Sequence, residues 1–142
     1  MKMNKHEIET KVKDFLLNRH EINFAYIFGS FTISERYKDI DIAVYVNPNH
    51  NLNDLKIYPF GYEAEILGNL CLIFKTDKID LIILNKSNLL LSMQVYNSGK
   101  LLFERDRFLR IKIVNEIRKE YIDTEKYRKL KEDYLRNYLN VR

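Results

Sequence analysis

The sequence contains few of the residues that build covalent or metal-based scaffolds. It has one cysteine, Cys71, two prolines, four glycines and no tryptophan. A single cysteine excludes an internal disulfide and a cysteine-based zinc site, so we interpret Cys71 as a small buried apolar residue. The longest apolar runs are strand-length, and the N-terminus lacks the apolar segment of a signal peptide. We therefore expect a soluble, cytoplasmic protein with no membrane partner.

Size and composition indicate one globular domain. A chain of 142 residues can bury one proper core but not comfortably two. Apolar residues make up 46% and charged residues 31%, a balance typical of folded rather than disordered chains. No internal repeat or low-complexity linker divides the sequence. We predict a single domain over residues 1–142, with a core at about 20–104 and a helical tail at about 105–140.

Positive charge is concentrated in the tail. Residues 105–142 contain twelve basic and seven acidic residues, whereas residues 1–104 contain twelve basic and thirteen acidic residues. A basic tail is one feature of nucleic-acid binding. Acidic residues interrupt the basic ones throughout, which is typical of a solvated helix with mixed charge. We favour the helix and expect no direct contact with nucleic acid.

Two carboxylates follow the first apolar strand. Residues 24–28 are apolar and predict a strand buried on both faces, and residues 39–46 predict a second strand that begins with Asp39 and Asp41. Alternate side chains of a strand point to the same face, so these two carboxylates lie together. Such a pair is unfavourable unless a cation neutralises it, and Mg²⁺ prefers carboxylate and phosphate oxygens.

A third carboxylate lies near the start of another apolar run. Residues 79–84 predict a strand in which Asp80 faces away from the apolar side chains. If this strand lies beside the Asp39/Asp41 strand, the three carboxylates can hold two metal ions for displacement at phosphorus. By itself, Asp80 is better explained as a strand-end acid that pairs with Lys78 or Lys86. Together with Asp39 and Asp41, it is better explained as a site residue.

The turn between the first two strands is suited to phosphate. Gly29 allows a triphosphate to approach the backbone closely. Ser30 is expected to open the next helix, whose free N–H groups attract anions. The order of strand, Gly29-Ser30, short segment and paired aspartates therefore predicts a nucleotide site.

The remaining pattern predicts an α+β (α/β-like) domain, a small mixed β-sheet backed by helices. Helices are expected at 5–18, 60–75, 87–96 and from 106 to about 138, with a fourth strand at 101–104. Ser87 is the expected N-cap of the third helix, and Asp123 or Thr124 can cap a new helix within the tail.

Helical spacing predicts which side chains are buried. The expected apolar stripes are Ile8, Val12, Phe15 and Leu16; Tyr62, Ile66, Leu70, Ile73 and Phe74; Leu89, Leu90, Met93 and Tyr96 or Asn97; and Phe108, Ile111, Val114, Ile117 and Tyr121. Glu63 and Glu65 are expected at the surface. The last apolar group either binds a partner or packs back on the domain, and consists of Tyr127, Leu130, Tyr134, Leu135 and Tyr138.

These motifs resemble those of the minimal nucleotidyltransferases in the DNA polymerase beta-like superfamily. The shared signature is Gly29-Ser30, a segment of eight residues, Asp39-Ile40-Asp41, and the later Asp80. Residues 97–106 (NSGKLLFERD) and 118–123 (RKEYID) are similar to MntA-like antitoxins of HEPN/MNT toxin–antitoxin pairs. The resemblance extends from about residue 24 to residue 138. It implies the polymerase beta-like nucleotidyltransferase fold.

The same resemblance implies a function and a set of site residues. Its catalytic and metal-binding residues would be Asp39, Asp41 and Asp80, with two Mg²⁺ ions; its nucleotide-binding residues would be Gly29, Ser30, Ser34 and Arg36. The implied reaction transfers AMP from ATP to a tyrosine hydroxyl of a HEPN ribonuclease toxin and so neutralises it. The implied partner is that toxin, bound through the C-terminal helix.

The segment after Ser30 departs from the family pattern. It is shorter than is common, and Thr32, Ser34, Arg36 and Lys38 replace the usual small residue, Arg and Gly. This departure keeps open a non-catalytic antitoxin that neutralises its partner by covering it. A small-molecule (antibiotic) nucleotidyltransferase is a further alternative, but such enzymes normally carry an extra helical domain for which this chain has little room.

Overall fold

The structure is a computed structural model that describes residues 3–140. The strands are β1 (Ile22–Phe28), β2 (Ile40–Val46), β3 (Ile79–Ile83) and β4 (Lys100–Glu104). The helices are α1 (Lys5–Leu17), α2 (Ser30–Ile33), α3 (Tyr62–Phe74), α4 (Leu89–Ser98), α5 (Arg107–Asp123) and α6 (Glu125–Asn140). Every predicted helix and strand is present, including the break in the tail, where Thr124 separates α5 from α6.

The four strands form one mixed sheet in the order β3-β2-β1-β4. β1 pairs antiparallel with both β2 and β4, whereas β2 and β3 run parallel. A parallel pair needs a crossover connection, which here contains α3. The crossover places the first residues of β2 and β3 side by side, and this is the feature that builds the candidate site.

Helices cover both faces of the sheet. Apolar residues of α1 and α3 pack on one face, and those of α4 and α5 pack on the other. All seven residues of β1 are buried, which confirms the prediction of a strand buried on both faces. In α1 the buried residues are Ile8, Val12 and Leu16, while Phe15 is partly buried against them. No helix within residues 3–140 is both long and apolar enough to cross a membrane.

The prediction for α4 is right at Tyr96, which is buried, but wrong at its N-cap and at Leu90. Its N-cap is Asn88, whose side chain accepts a hydrogen bond from the Leu91 N–H, and not Ser87. The buried residues are Ser92, Val95 and Tyr96, whereas Leu90 is exposed. Ser92 is tolerated inside because its hydroxyl lies 2.5 Å from the Ser87 hydroxyl.

The predicted stripe of α5 is rotated. Val114 is buried as expected, but Phe108 is 87% exposed and Ile111 is also exposed. Ile117 is partly buried as predicted, and Leu109 and Ile113 take the places of Phe108 and Ile111 beside the apolar cluster that contains Val114.

The end of α3 and the whole of α6 are more exposed than the patterns predict. Ile73 is exposed, so the buried stripe of α3 stops at Leu70, with Phe74 only partly buried. In α6, none of residues 125–140 is buried. The apolar residues of this helix therefore do not pack back on the domain, and that alternative is wrong.

Candidate functional site

Two aspartates meet where the parallel strands begin. Asp41 in β2 and Asp80 in β3 are direct partners in the parallel register. Asp41 shares a face with Ala43, which belongs to the core under α4 and α5, while Ile42 points into the opposite core. Asp41 is half-buried and Asp80 is exposed. The structure thus gives the two carboxylates neighbouring positions on one face of the sheet.

Asp39 lies just outside β2, one residue before the strand begins at Ile40. The Ile40 N–H donates to the Lys78 carbonyl over 3.0 Å, which ties this end of the strand to the start of β3. Burial raises the pKa of Asp41, and the negative charges of Asp80 and Asp39 raise it further. Asp80 and Asp39 therefore both lie within electrostatic range of Asp41.

Gly29 is held against the carboxylate of Asp41. Its φ of 77° and ψ of −155° belong to a region that essentially only glycine adopts. A Cβ at this position would lie 2.2 Å from Oδ2 of Asp41. Phe28, the preceding residue, is the register partner of Asp41 in the antiparallel pair. Glycine is therefore required here by the neighbouring carboxylate as well as by any phosphate.

Ser30 opens α2 as predicted, but this helix is a single turn of four residues. The Ser34 N–H donates to the Ser30 carbonyl over 2.9 Å and closes the turn. Phe31 anchors it in the core and contacts the Tyr37 ring edge-on, with ring centroids 4.7 Å apart. So short a helix has a small dipole, so individual N–H groups rather than the helix as a whole would bind phosphate.

The other two predicted nucleotide-binding residues lie on the loop that follows α2. Ser34 accepts a hydrogen bond from the Arg36 N–H through its hydroxyl, over 3.0 Å. The Arg36 side chain is exposed. Ser34 and Arg36 therefore lie in the segment that joins Ser30 to Asp39, and their contact with nucleotide stays a prediction.

The donor set suits a hard divalent cation. Within residues 3–140, no group of three or more His, Cys, Asp or Glu side chains is arranged so as to hold a metal ion. Carboxylates are the ligand type that Mg²⁺ prefers. Burial and the negative charges of Asp80 and Asp39 raise the pKa of Asp41, and a bound cation would neutralise these charges. The residues therefore fit Mg²⁺ by their chemistry, and their role as metal ligands stays a prediction.

A cavity of about 660 Å³ lies elsewhere, beside the outer edge of β3. Its lining includes Leu55, Phe60, Ile82 and Lys86 but none of the predicted site residues. The loop after β2 therefore borders this cavity. Asp41 and Asp80 lie instead at one end of the sheet, where Asp80 is exposed and Asp41 is half-buried.

The sequence patterns missed an ion-pair network at the opposite end of β1. Arg19 binds the two carboxylate oxygens of Glu65 over 3.1 and 2.7 Å and contacts Glu21 over 3.0 Å. The Tyr62 hydroxyl donates to Glu21 over 2.8 Å. Glu65 is therefore half-buried in an ion pair and not a free surface residue. No spacing rule could reveal this, since Arg19 and Glu65 are 46 residues apart.

Comparison with known families identifies the class of protein. The family model described as Polymerase beta, Nucleotidyltransferase matches residues 10–108, which is more than half of the chain. The chain therefore belongs to the polymerase beta nucleotidyltransferase family. This confirms the family predicted from Gly29-Ser30, Asp39-x-Asp41 and Asp80. No curated protein matches the sequence with statistical significance.

Similar solved structures come from toxin–antitoxin complexes. One is a tri-AMPylated Shewanella oneidensis HEPN toxin in complex with MNT antitoxin, at a TM-score of 0.70 and 22% identity over 93% of this chain and 98% of that chain. Another is the MntA-HepT toxin–antitoxin, at 0.68 and 21% over 92% and 97%. A third, a toxin–antitoxin with AMP-PNP, gives 0.69 and 22% over 94% and 98%. These likenesses confirm the predicted fold.

Proposed function

We propose that residues 1–142 form a single nucleotidyltransferase domain that acts as an antitoxin in the cytoplasm. It transfers AMP from ATP to a tyrosine hydroxyl of a cognate HEPN ribonuclease toxin and thereby neutralises the toxin. Membership of the polymerase beta nucleotidyltransferase family supports the reaction type. The likeness to MNT antitoxins, among them a complex with tri-AMPylated toxin and one with AMP-PNP, supports the donor and the acceptor.

The observation that carries the proposal is the pairing of Asp41 with Asp80 in the parallel register, beside Gly29. A catalytic site for phosphorus needs carboxylates close together and a backbone that permits phosphate to approach. Both requirements are met at one end of the sheet. Asp39, one residue before β2, adds the third carboxylate.

The metal ligands of the proposed reaction are Asp39, Asp41 and Asp80, which would hold two Mg²⁺ ions. When bound, Mg²⁺ neutralises the charge of the triphosphate and favours ionisation of the acceptor hydroxyl. This assignment explains why Asp80 and Asp39 are held within electrostatic range of Asp41.

The nucleotide-binding residues of the proposed reaction are Gly29, Ser30, Ser34 and Arg36. The triphosphate lies along the backbone at Gly29 and Ser30, next to the carboxylate of Asp41. The exposed guanidinium of Arg36 neutralises phosphate charge from the loop. These residues orient the α-phosphorus for attack, and orientation is the main contribution of protein groups in phosphoryl transfer.

The transfer itself is an in-line displacement. The tyrosine oxygen attacks the α-phosphorus, the bond from that phosphorus to the bridging oxygen breaks, and pyrophosphate leaves. Asp80, which is exposed beside Asp41, takes the proton of the hydroxyl. The AMP placed on the toxin adds negative charge and bulk at its surface.

The C-terminal helix α6 is the proposed surface for the toxin. It exposes Tyr127, Leu130, Tyr134, Leu135 and Leu139, and none of residues 125–140 is buried. Exposed aromatic and apolar side chains among positive charges are typical of protein interfaces. Binding through α6 leaves the carboxylate edge of the sheet available for the acceptor tyrosine.

Intact-mass spectrometry tests the proposal. The HEPN protein encoded with this chain is co-expressed with the unsubstituted chain and, separately, with an Asp39→Asn/Asp41→Asn variant. A gain of one or more AMP units on the HEPN protein, present only with the unsubstituted chain, is the expected result. A silent, unmodified toxin that still co-purifies with either chain would refute transfer.

That second result would support the other candidate, a binding antitoxin that neutralises by covering. The exposed apolar face of α6 and the short segment after Ser30 favour this candidate. Asp41→Asn separates the two functions because it alters the carboxylate site and leaves α6 unchanged. Protection from the toxin is lost in this variant if transfer is essential, and it is retained if covering is sufficient.

A further inference from the structure

The tyrosines of this chain fall into two groups by exposure. Of the ten tyrosines, five are buried: Tyr26, Tyr45, Tyr58, Tyr62 and Tyr96. Tyr37 and Tyr121 are half-buried. The remaining three, Tyr127, Tyr134 and Tyr138, are exposed and all lie on α6. Any reagent that modifies exposed phenols will therefore meet this one helix.

We propose that α6 is itself a nucleotidyl acceptor, and that one copy of this chain transfers AMP to Tyr127 or Tyr134 of a second copy. The inference rests on the proposed function, because it uses the same site and the same ATP. Tyr127 is 75% exposed and Tyr134 is 68% exposed, so both hydroxyls are accessible to the proposed site of a second copy, where Asp80 is exposed. The buried tyrosines cannot reach such a site without unfolding.

In a chain that is not bound to toxin, α6 is accessible to a second copy. The helix is held at its start, where the Arg128 guanidinium donates to the Tyr121 carbonyl of α5 over 2.7 Å and lies 3.8 Å from the centre of the Tyr121 ring. Beyond this contact, residues 129–140 are all exposed. Tyr134 therefore lies beyond the part of the helix that is held, whereas Tyr127 lies at the held start but is itself exposed.

Local charge favours these two acceptors. Lys131 lies four residues after Tyr127 and three residues before Tyr134, and such positions are neighbours on a helix surface. An ammonium group one turn away can pair with the negative phosphodiester that the transfer would place on either tyrosine.

The chemistry is balanced by the proposed donor alone. The phenol oxygen forms a bond to the α-phosphorus of ATP, and the bond from that phosphorus to the bridging oxygen breaks. Pyrophosphate leaves with the bonding electrons, and the phenol proton passes to Asp80 of the catalysing copy. The product is a tyrosine–AMP phosphodiester on α6.

The experiment uses two copies that differ in mass. The catalyst is the unsubstituted chain, and the acceptor is a tagged Asp41→Asn chain, which cannot modify itself. Both are incubated with ATP and Mg²⁺, and the acceptor is analysed by intact mass and peptide mapping. The expected result is a gain of AMP units on peptides that contain Tyr127 or Tyr134. An acceptor with Asp41→Asn, Tyr127→Phe and Tyr134→Phe is expected to fall to background.

A parallel incubation replaces the acceptor with the HEPN protein. If the HEPN protein gains AMP while the tagged acceptor does not, the inference fails and the proposed function stands. If neither gains AMP, the proposed function itself fails. Modification of the acceptor at tyrosines outside α6, or equal modification of the Tyr→Phe acceptor, also overturns the assignment to α6.

Discussion

The first strand and the last helix of this protein are opposite extremes of burial. All seven residues of β1 are buried, and each pairs with or packs on its neighbours. In the sixteen residues of α6, none is buried. β1 is apolar at six of its seven positions, whereas eight of the sixteen residues of α6 are charged, so composition accounts for much of the difference. The strand uses its apolar side chains to fold the domain, whereas the helix keeps them available for another molecule.

The strand ends and α6 carry two different kinds of proposed functional position. Gly29 and Asp41 are held in place by buried strands, so changes at either position are expected to alter the proposed reaction. Only a change at Gly29, where an added Cβ would clash with Asp41, is expected to disturb the fold as well. Residues of α6 are fixed mainly through Arg128 and Tyr121 at the start of the helix. Changes there should leave the fold intact and alter only binding or modification.

The sharpest test at the strand end is Asp41→Asn. We expect nucleotidyl transfer to fall by a factor on the order of 10³ or more, because loss of the proposed metal ligand would remove several kcal/mol of transition-state stabilisation. Stability should not fall, because burial and the charges of Asp80 and Asp39 disfavour the ionised carboxylate in the folded state. Initial rates of AMP transfer and thermal melting measure the two effects.

Asp14→Asn is the matched control, since Asp14 is an exposed aspartate of α1. It should change neither the rate nor the melting temperature. A clear loss of stability in Asp41→Asn alone would mean that the carboxylate has a structural role. The separation between site and scaffold would then not hold at this position.

A second test at the same end is Gly29→Ala. The added Cβ would meet Oδ2 of Asp41 at 2.2 Å, and the backbone conformation is strained for alanine. We expect a loss of about 1–3 kcal/mol in unfolding free energy from strain. We expect a fall in transfer of about 10²-fold as well, because misplacing a reacting group by an ångström has effects of this size. Urea unfolding and transfer rates measure both.

Gly61→Ala separates strain from the clash. Gly61 has a φ of 95° and a ψ of 153°, a similar glycine-only conformation, but an added Cβ there meets no atom within 4 Å. It should lose a similar amount of stability and keep its transfer rate. Equal loss of transfer in both variants would show that strain alone, and not the position of Asp41, limits the reaction.

The buried strands were largely predictable from sequence. Apolar runs at residues 24–28, 39–46 and 79–84 predicted three of the strands, so the elements that carry the aspartates followed from local pattern. The direct pairing of Asp41 with Asp80 did not follow, because register depends on a crossover. The sequence indicated only that the carboxylates would meet if the two strands were neighbours.

The helices were predictable in extent but not in orientation. Asn88 and Ser87 are both good N-caps, and sequence alone could not choose between them. In α5, apolar residues occur on several sides of the helix, so tertiary packing decides which of them are buried. The Arg19–Glu65 pair depends on tertiary contact, which no local rule contains.

Tyr62→Phe tests the packed region away from the site. Burial alone would raise the pKa of Glu21, but hydrogen bonds from Tyr62 and its own backbone, together with the Arg19 charge, outweigh it and hold that pKa below 4.5. Removing the hydroxyl should lower the unfolding free energy by about 1.5–3 kcal/mol at neutral pH. The lost contribution belongs to ionised Glu21, so the difference between the two proteins should shrink as pH falls below 4.5.

Urea unfolding at neutral pH and near about pH 3 measures this dependence. Tyr127→Phe on α6 is the control, because it removes a hydroxyl from an exposed tyrosine and should change stability at neither pH. A difference for Tyr62→Phe that stays constant with pH would mean that packing, and not the bond to Glu21, is what the hydroxyl contributes.

The smallest effect on stability is expected for a substitution of Leu130. This substitution tests whether the apolar residues of α6, unlike those of the buried elements, contribute little to the fold. Leu130 in α6 is 65% exposed, whereas Val114 in α5 is 5% exposed. Leu130→Ser should change unfolding free energy by less than about 0.5 kcal/mol, since surface changes have little effect. Val114→Ala should lower it by about 2 kcal/mol, because it removes buried methyl groups and leaves a cavity. The two variants should have the opposite order of effect on binding to the HEPN protein. Leu130→Ser should weaken capture of this partner, whereas Val114→Ala should leave it unchanged. If Leu130→Ser destabilises the isolated chain as much as Val114→Ala does, α6 packs on the domain in solution, and its apolar face is part of the fold.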